Sequence, residues 1–140
     1  MIIDRRLGLT IVFGVVYVGR MPDKRLTRPA SRRLSGRRIF AAVFDEGVKE
    51  TRGPLRLIGR KNELGYLRSG LVVPRGVGTA AKRNRIKRLL RESLRRIQHD
   101  VPGGYDVVVV VRGHAPVELA DYMKLLAGGI ERVHRKWSER

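Results

Sequence analysis

The sequence predicts an α+β two-layer sandwich, a small central sheet with helices packed against it, and three observations carry that prediction. Residues 105–111 form an apolar, β-branched run, as expected of a central strand covered on both faces. Residues 82–97 place Ile86, Leu89, Leu90, Leu94 and Ile97 at helical spacing along one side of a segment that is otherwise basic. A third stripe, Leu119, Met123, Leu126, Ile130, Val133 and Trp137, marks a closing helix. The expected order is α-β-β(-β)-α-β-α, with the strand in parentheses optional.

The chain opens with an apolar run over residues 7–19, between Arg5-Arg6 and Arg20. It falls short of the roughly twenty apolar residues of a membrane span, and it lacks the small-residue cleavage site of a signal peptide. Two readings stand side by side: a true start at Met21, or an added strand or mobile extension. Residues 20–38 are basic, punctuated by Pro22, Pro29 and Gly36, with Asp23 as their sole acid, which reads as an arm that orders on RNA. The expected division is an N-terminal extension, residues 1–30, and an RNA-binding domain, residues 31–140.

Ser35 is the expected N-cap of a first helix over residues 36–44, with Ile39, Phe40, Val43 and Phe44 as its apolar stripe and Gly47 as its stop. Residues 55–58 and 67–73 read as neighbouring strands joined by the polar turn Arg60-Lys61-Asn62-Glu63. Gly76 and Gly78 break the second strand, Thr79 caps the basic helix, and Pro102-Gly103-Gly104 closes the unit. Pro116 opens the last helix, which carries Glu118 and Asp121 near its start and Arg132, Arg135 and Lys136 near its end, in accord with the helix dipole. Its Gly128-Gly129 pair is expected to weaken it by about 1 kcal/mol per glycine relative to alanine.

A formal charge of +18 on 140 residues, with 42% hydrophobic content, describes a folded basic protein with a polyanionic partner. The absence of cysteine excludes disulfides, zinc knuckles and thiol chemistry. His99, His114 and His134 stand apart, and the acids Asp45-Glu46, Glu50 and Asp106 are scattered, so neither a metal site nor a catalytic side chain is assigned. Eight of the fifteen residues 82–96 are Lys or Arg, and Glu92 is the single acid among them. A merely solvated face would intersperse acids for i,i+4 pairs, so this one calls for a compensating polyanion.

Within that helix, Lys82-Arg83-Asn84-Arg85-Ile86-Lys87-Arg88 resembles the signature helix of the bacterial ribonuclease P protein component family. The segment before it, Arg68-Ser69-Gly70-Leu71-Val72-Val73-Pro74-Arg75-Gly76-Val77-Gly78, is similar to the family's Arg-x-Gly-(apolar)-x-Val-x-Lys-Lys-x-Gly, at the same spacing. Looser similarities lie in Ile39-Phe40-Ala41-Ala42-Val43-Phe44 with Gly47, and in Tyr105-Asp106-Val107-Val108-Val109-Val110; the resemblance spans about residues 33–137.

The resemblance implies a left-handed crossover at the basic helix, where general rules alone predict the right hand. It implies the protein subunit of ribonuclease P, the endoribonuclease that removes the 5′ leader of precursor tRNA. The RNA subunit would carry the active site and its Mg2+ ions, the protein alone would not be catalytic, and the partners would be ribonuclease P RNA and precursor tRNA. A cytoplasmic location without stable membrane association is expected. Lys82, Arg83, Asn84, Arg85, Lys87, Arg88 and Arg91 would contact the RNA subunit. The 5′ leader would lie in a cleft between the sheet and the first helix, on Phe40 and Phe44, which from their i,i+4 spacing alone read as core. Two departures bear on this cleft. Arg75-Gly76 stands where the family often has Lys-Lys, and no aromatic residue accompanies Ile58, which shifts the expected leader contacts toward Arg56, Arg68 and Arg75.

Two other classes share parts of the pattern. A ribosomal or other structural RNA-binding protein would have similar size and charge without a preference for precursor tRNA. A membrane-surface protein would use residues 7–19 as an anchor beside a basic flank.

Overall fold

A computed structural model describes residues 30–140 and, ahead of them, the backbone of three strands, β1 (Ile2–Asp4), β2 (Leu9–Val12) and β3 (Val15–Val18). β2 pairs antiparallel with both β1 and β3, so two strands fall within the apolar run of residues 7–19. The first part of the arm, residues 20–29, and the alternative start at Met21 lie outside the described residues.

The remaining elements are α1 (Arg37–Glu46), β4 (Val48–Arg52), β5 (Leu55–Lys61), β6 (Arg68–Val72), α2 (Ala80–Ile97), β7 (Tyr105–Val111) and α3 (Leu119–Ser138). The predicted order holds, with the optional strand present as β4, which alternates half-buried and exposed residues and turns into β5 across Gly53-Pro54. The sheet order is β4-β5-β7-β6, with β6 and β7 parallel and the other pairs antiparallel. One expectation is corrected here: β5 and β6 are not neighbours, because β7 inserts between them. The most apolar strand takes an interior position where both faces and both edges are covered. Arg60 and Lys61, expected in a turn, instead extend β5 and pair with Asp106 and Tyr105.

Alternation along the strands divides the core in two. Leu55 and Leu57 with Tyr105, Val107, Val109 and Val111 face α2 and α3, while Ile58 and Val108 face α1 with Leu34 and Val43. α3 approaches the sheet through glycine. A Cβ on Gly129 would stand 2.7 Å from Leu57 Cδ2, and one on Gly59 would stand 2.3 Å from Val133 Cγ1. Gly129, which lowers helix propensity, and Gly59 of β5 are therefore what lets helix and strand meet. Trp137 Nε1 fastens the same contact by donating to the Gly59 carbonyl at 2.8 Å.

The expected cap on α2 is present, with Thr79 Oγ1 accepting the Lys82 N–H at 3.2 Å. The other two helix starts are corrected. Gly36, not Ser35, is the N-cap of α1, at φ 94°, a conformation glycine adopts without a Cβ clash. α3 starts at Leu119 with Glu118 in the cap position, three residues later than Pro116 suggests. Its inner face also includes the fully buried Tyr122, whose hydroxyl meets His114 Nε2 at 2.6 Å.

Candidate nucleic-acid interface

α2 is amphipathic in a particular sense. Ile86, Leu90, Leu94 and Ile97 are buried, and Ser93, buried among them, is satisfied by the Leu89 carbonyl at 2.7 Å. The opposite face exposes Asn84, Arg85, Arg88 and Arg91, with Lys82, Arg83 and Lys87 half-buried beside them. Arg83 Nε donates to the Gly78 carbonyl at 3.2 Å, which ties the head of the helix to the turn before it. Glu92 accepts from Arg95 Nε at 2.9 Å and Arg96 Nε at 2.8 Å, and these bonds hold its carboxyl down at about 2. The acid therefore neutralises only the last turn. Among the described residues, Arg85, Lys87, Arg88 and Arg91 have no carboxylate partner.

The second surface is the face of the sheet under α1. Phe40 lies over Gly70, where a Cβ would stand 2.6 Å from Phe40 Cζ, so the glycine of the Arg-x-Gly segment makes room for the ring. Phe40 is half-buried and packs on the Leu34, Val43, Ile58 and Val108 cluster, whereas Phe44, one turn on, is 39% exposed. Arg56 points to this face from β5, opposite Val110 of β7, and Arg75 is exposed in the 3-10 turn Arg75–Val77 that follows β6.

Arg68 is placed differently. Its Nε and Nη2 donate to the two carboxylate oxygens of Asp106 at 2.8 and 2.7 Å, and Asp106, 2% exposed, also accepts from Asn62 Nδ2 at 2.8 Å. The hydrogen bonds to Asp106 raise the Arg68 pKa further above its ordinary value. The fork expected to reach the leader is thus occupied inside the protein. Sequence reasoning counted Asp106 among scattered acids, although an acid within a strand covered on both faces requires a buried partner, and that requirement was legible.

A residue missed altogether is Arg33. It forms a parallel bridge to Ser69 at the edge of β6, and it lines one groove together with Arg88, Arg91 and Arg95 of α2. Among the described residues, no group of three or more His, Asp or Glu side chains is placed to hold a metal ion, and no helix is long and apolar enough to cross a membrane.

The family described as Ribonuclease P matches this chain over residues 29–133, which includes both surfaces. The chain belongs to the ribonuclease P protein family. The ribonuclease P protein component of Salmonella arizonae is 35% identical over 113 residues, 80% of this chain and 92% of that one. That of Thermotoga maritima is 42% identical over 80 residues, 57% of this chain and 68% of its own. The solved structure of the Thermotoga maritima ribonuclease P protein superposes with a TM-score of 0.66 at 34% identity, covering 72% of this chain and 96% of that one. A Staphylococcus aureus ribonuclease P protein structure, at 22% identity, shares the fold with a TM-score of 0.61. Membership of this family implies an RNA partner and a part in tRNA processing.

Proposed function

We propose that this chain binds the RNA subunit of ribonuclease P and the 5′ leader of precursor tRNA, and so promotes endonucleolytic 5′ maturation of tRNA in the cytoplasm. The observation that carries the reading is the uncompensated face of α2, where Asn84, Arg85, Arg88 and Arg91 stand exposed on a helix whose other side is core. Guanidinium forks match phosphate bidentately, and Asn84 offers a donor and an acceptor together. Lys82, Arg83 and Lys87 extend the same surface toward the start of the helix.

For the leader, Phe44 is the available stacking ring, the exposed edge of Phe40 adds to it, and Arg56 and Arg75 supply charge. Arg68 acts indirectly, by holding β6 against β7. The Mg2+ ions of the reaction would belong to the RNA subunit. No chemical step is assigned to the protein.

The test is affinity of the assembled holoenzyme for leader-bearing precursor against mature tRNA. Phe44→Ala and Arg56→Ala are expected to weaken the first and spare the second. Equal losses for both would contradict the leader assignment. Binding is also expected to weaken steeply with salt, with a log-log slope of roughly −0.7 to −0.9 per phosphate neutralised.

A further inference from the structure

We propose that Arg33 and Arg91 clamp a backbone phosphate of the ribonuclease P RNA at the open edge of β6, so that the RNA-subunit site continues off the signature helix onto the arm. This deepens the functional reading above and rests on it.

β6 is the last strand of its sheet. On its outer side the described chain makes one bridge, Arg33 to Ser69, in which the Leu34 N–H donates to the Ser69 carbonyl at 3.0 Å. The chain then leaves the edge at Ser35 and Gly36 to enter α1. Leu71 lies two residues beyond Ser69, so strand alternation turns its N–H and C=O toward the same side, past the point where the arm departs. Unpaired strand edges of this kind present donors and acceptors to an incoming chain.

A groove of about 310 Å³ opens at this edge, lined by Arg33, Leu34, Ser69, Gly70, Leu71 and Arg91. A second, of about 420 Å³, continues along α2 and is lined by Arg33, Arg88, Arg91, Glu92 and Arg95. Arg33 and Arg91 border both. Glu92, the acid nearest to them, is engaged by Arg95 and Arg96. Arg33, Arg88 and Arg91 consequently have no carboxylate partner among the described residues.

Guanidinium groups from two different elements, lining one concave edge whose main-chain groups beyond Ser69 meet no partner strand among the described residues, suit a nucleotide. The phosphate sits between the forks, and the Leu71 main chain meets a sugar hydroxyl or base edge. The leader surface adjoins this edge where Phe40 lies over Gly70 and Arg75 follows β6, but both grooves include Arg91 and the second runs along α2 through Arg88 and Arg95, which favours the RNA subunit over the leader.

The experiment uses the full chain with the isolated RNA subunit and, in a parallel arm, the assembled holoenzyme with leader-bearing precursor, with binding followed by fluorescence anisotropy across a salt series. The variants are Arg33→Gln, Arg91→Gln, the double variant, and Lys124→Gln on the exposed side of α3 as control. Each clamp variant is expected to bind roughly tenfold more weakly and to flatten the salt slope by about one. The double variant is expected to lose less than the product, since both forks grip one phosphate. An amide NMR titration is expected to shift the Leu71 resonance. Arg33→Gln behaving as Lys124→Gln, or a fully multiplicative double loss, would overturn the clamp. A loss seen only with leader-bearing precursor would overturn its assignment to the RNA subunit. If the unaltered chain failed to bind the RNA subunit at all, the functional reading would fall and take the clamp with it.

Discussion

Replacing Arg68 with methionine separates a structural guanidinium from an RNA-binding one. The substitution keeps the aliphatic stem and removes the fork, leaving Asp106, 2% exposed, with Asn62 as its remaining side-chain partner. Breaking a buried pair by removing one member costs about 3 to 5 kcal/mol, because the orphaned charge stays desolvated. The Arg68 side chain keeps 22% exposure, which lets water approach the gap, so the low end of that range, about 3 kcal/mol, is expected. That is a large fraction of the roughly 5 to 15 kcal/mol that holds a domain folded. Urea unfolding followed by circular dichroism measures it, together with Asp106→Leu and the double variant. Removing both charges is expected to recover at least half of the loss, since the penalty belongs to the unpaired carboxylate. A loss below about 1 kcal/mol in Arg68→Met, accompanied by weaker binding of leader-bearing precursor alone, would refute the reasoning and return Arg68 to the leader surface.

Three further outcomes follow from the same structure. Phe44→Ala is expected to cost the holoenzyme about 1 to 3 kcal/mol of leader binding with little change in stability; Phe40→Ala, whose ring lies over Gly70, is expected to lower the urea midpoint clearly, and the reverse ranking would contradict the placement of the rings. Gly129→Ala gains about 1 kcal/mol of helix propensity but sets a methyl 2.7 Å from Leu57, an overpacking cost of about 1 to 3 kcal/mol; net destabilisation is expected in thermal unfolding, and a higher melting temperature would show that α3 can shift. Burial raises the Asp100 carboxyl from 3.8 to about 6, so the stability this group contributes is complete below pH 3.8 and is lost as pH rises through 6. The gap corresponds to roughly 3 kcal/mol; Asp100→Asn is expected to match the unaltered protein near pH 4 and exceed its stability at pH 8, and identical pH profiles would sink the assignment.

The elements legible in the sequence were those whose periodicity was unmixed: the β-branched run of β7, the stripe Ile86, Leu90, Leu94, Ile97 of α2, and the stripe Leu126, Ile130, Val133 of α3. β4 was legible only as an option, because Val48, Glu50 and Arg52 turn toward the helices while carrying mostly polar side chains. Sheet order was not legible, since neither the run in residues 55–58 nor that in 67–73 encodes which strand lies beside it. The glycines of α3 read locally as a weakness, and only the proximity of Leu57 explains Gly129. For the interface, a count of charges found α2 but could not tell a free arginine from a committed one. Arg68 and Arg91 look alike in sequence. One is locked on Asp106, and the other borders an open groove beside Arg33.

The central claim is that this chain acts through RNA, and its most direct test is cleavage of a precursor tRNA with a defined 5′ leader at low magnesium, comparing protein alone, ribonuclease P RNA alone and the two together. Efficient cleavage only in the mixture is the predicted result. Failure of folded protein to stimulate its cognate RNA would contradict the account and favour a structural RNA-binding role, and cleavage by the protein without RNA would place a catalytic site in the chain.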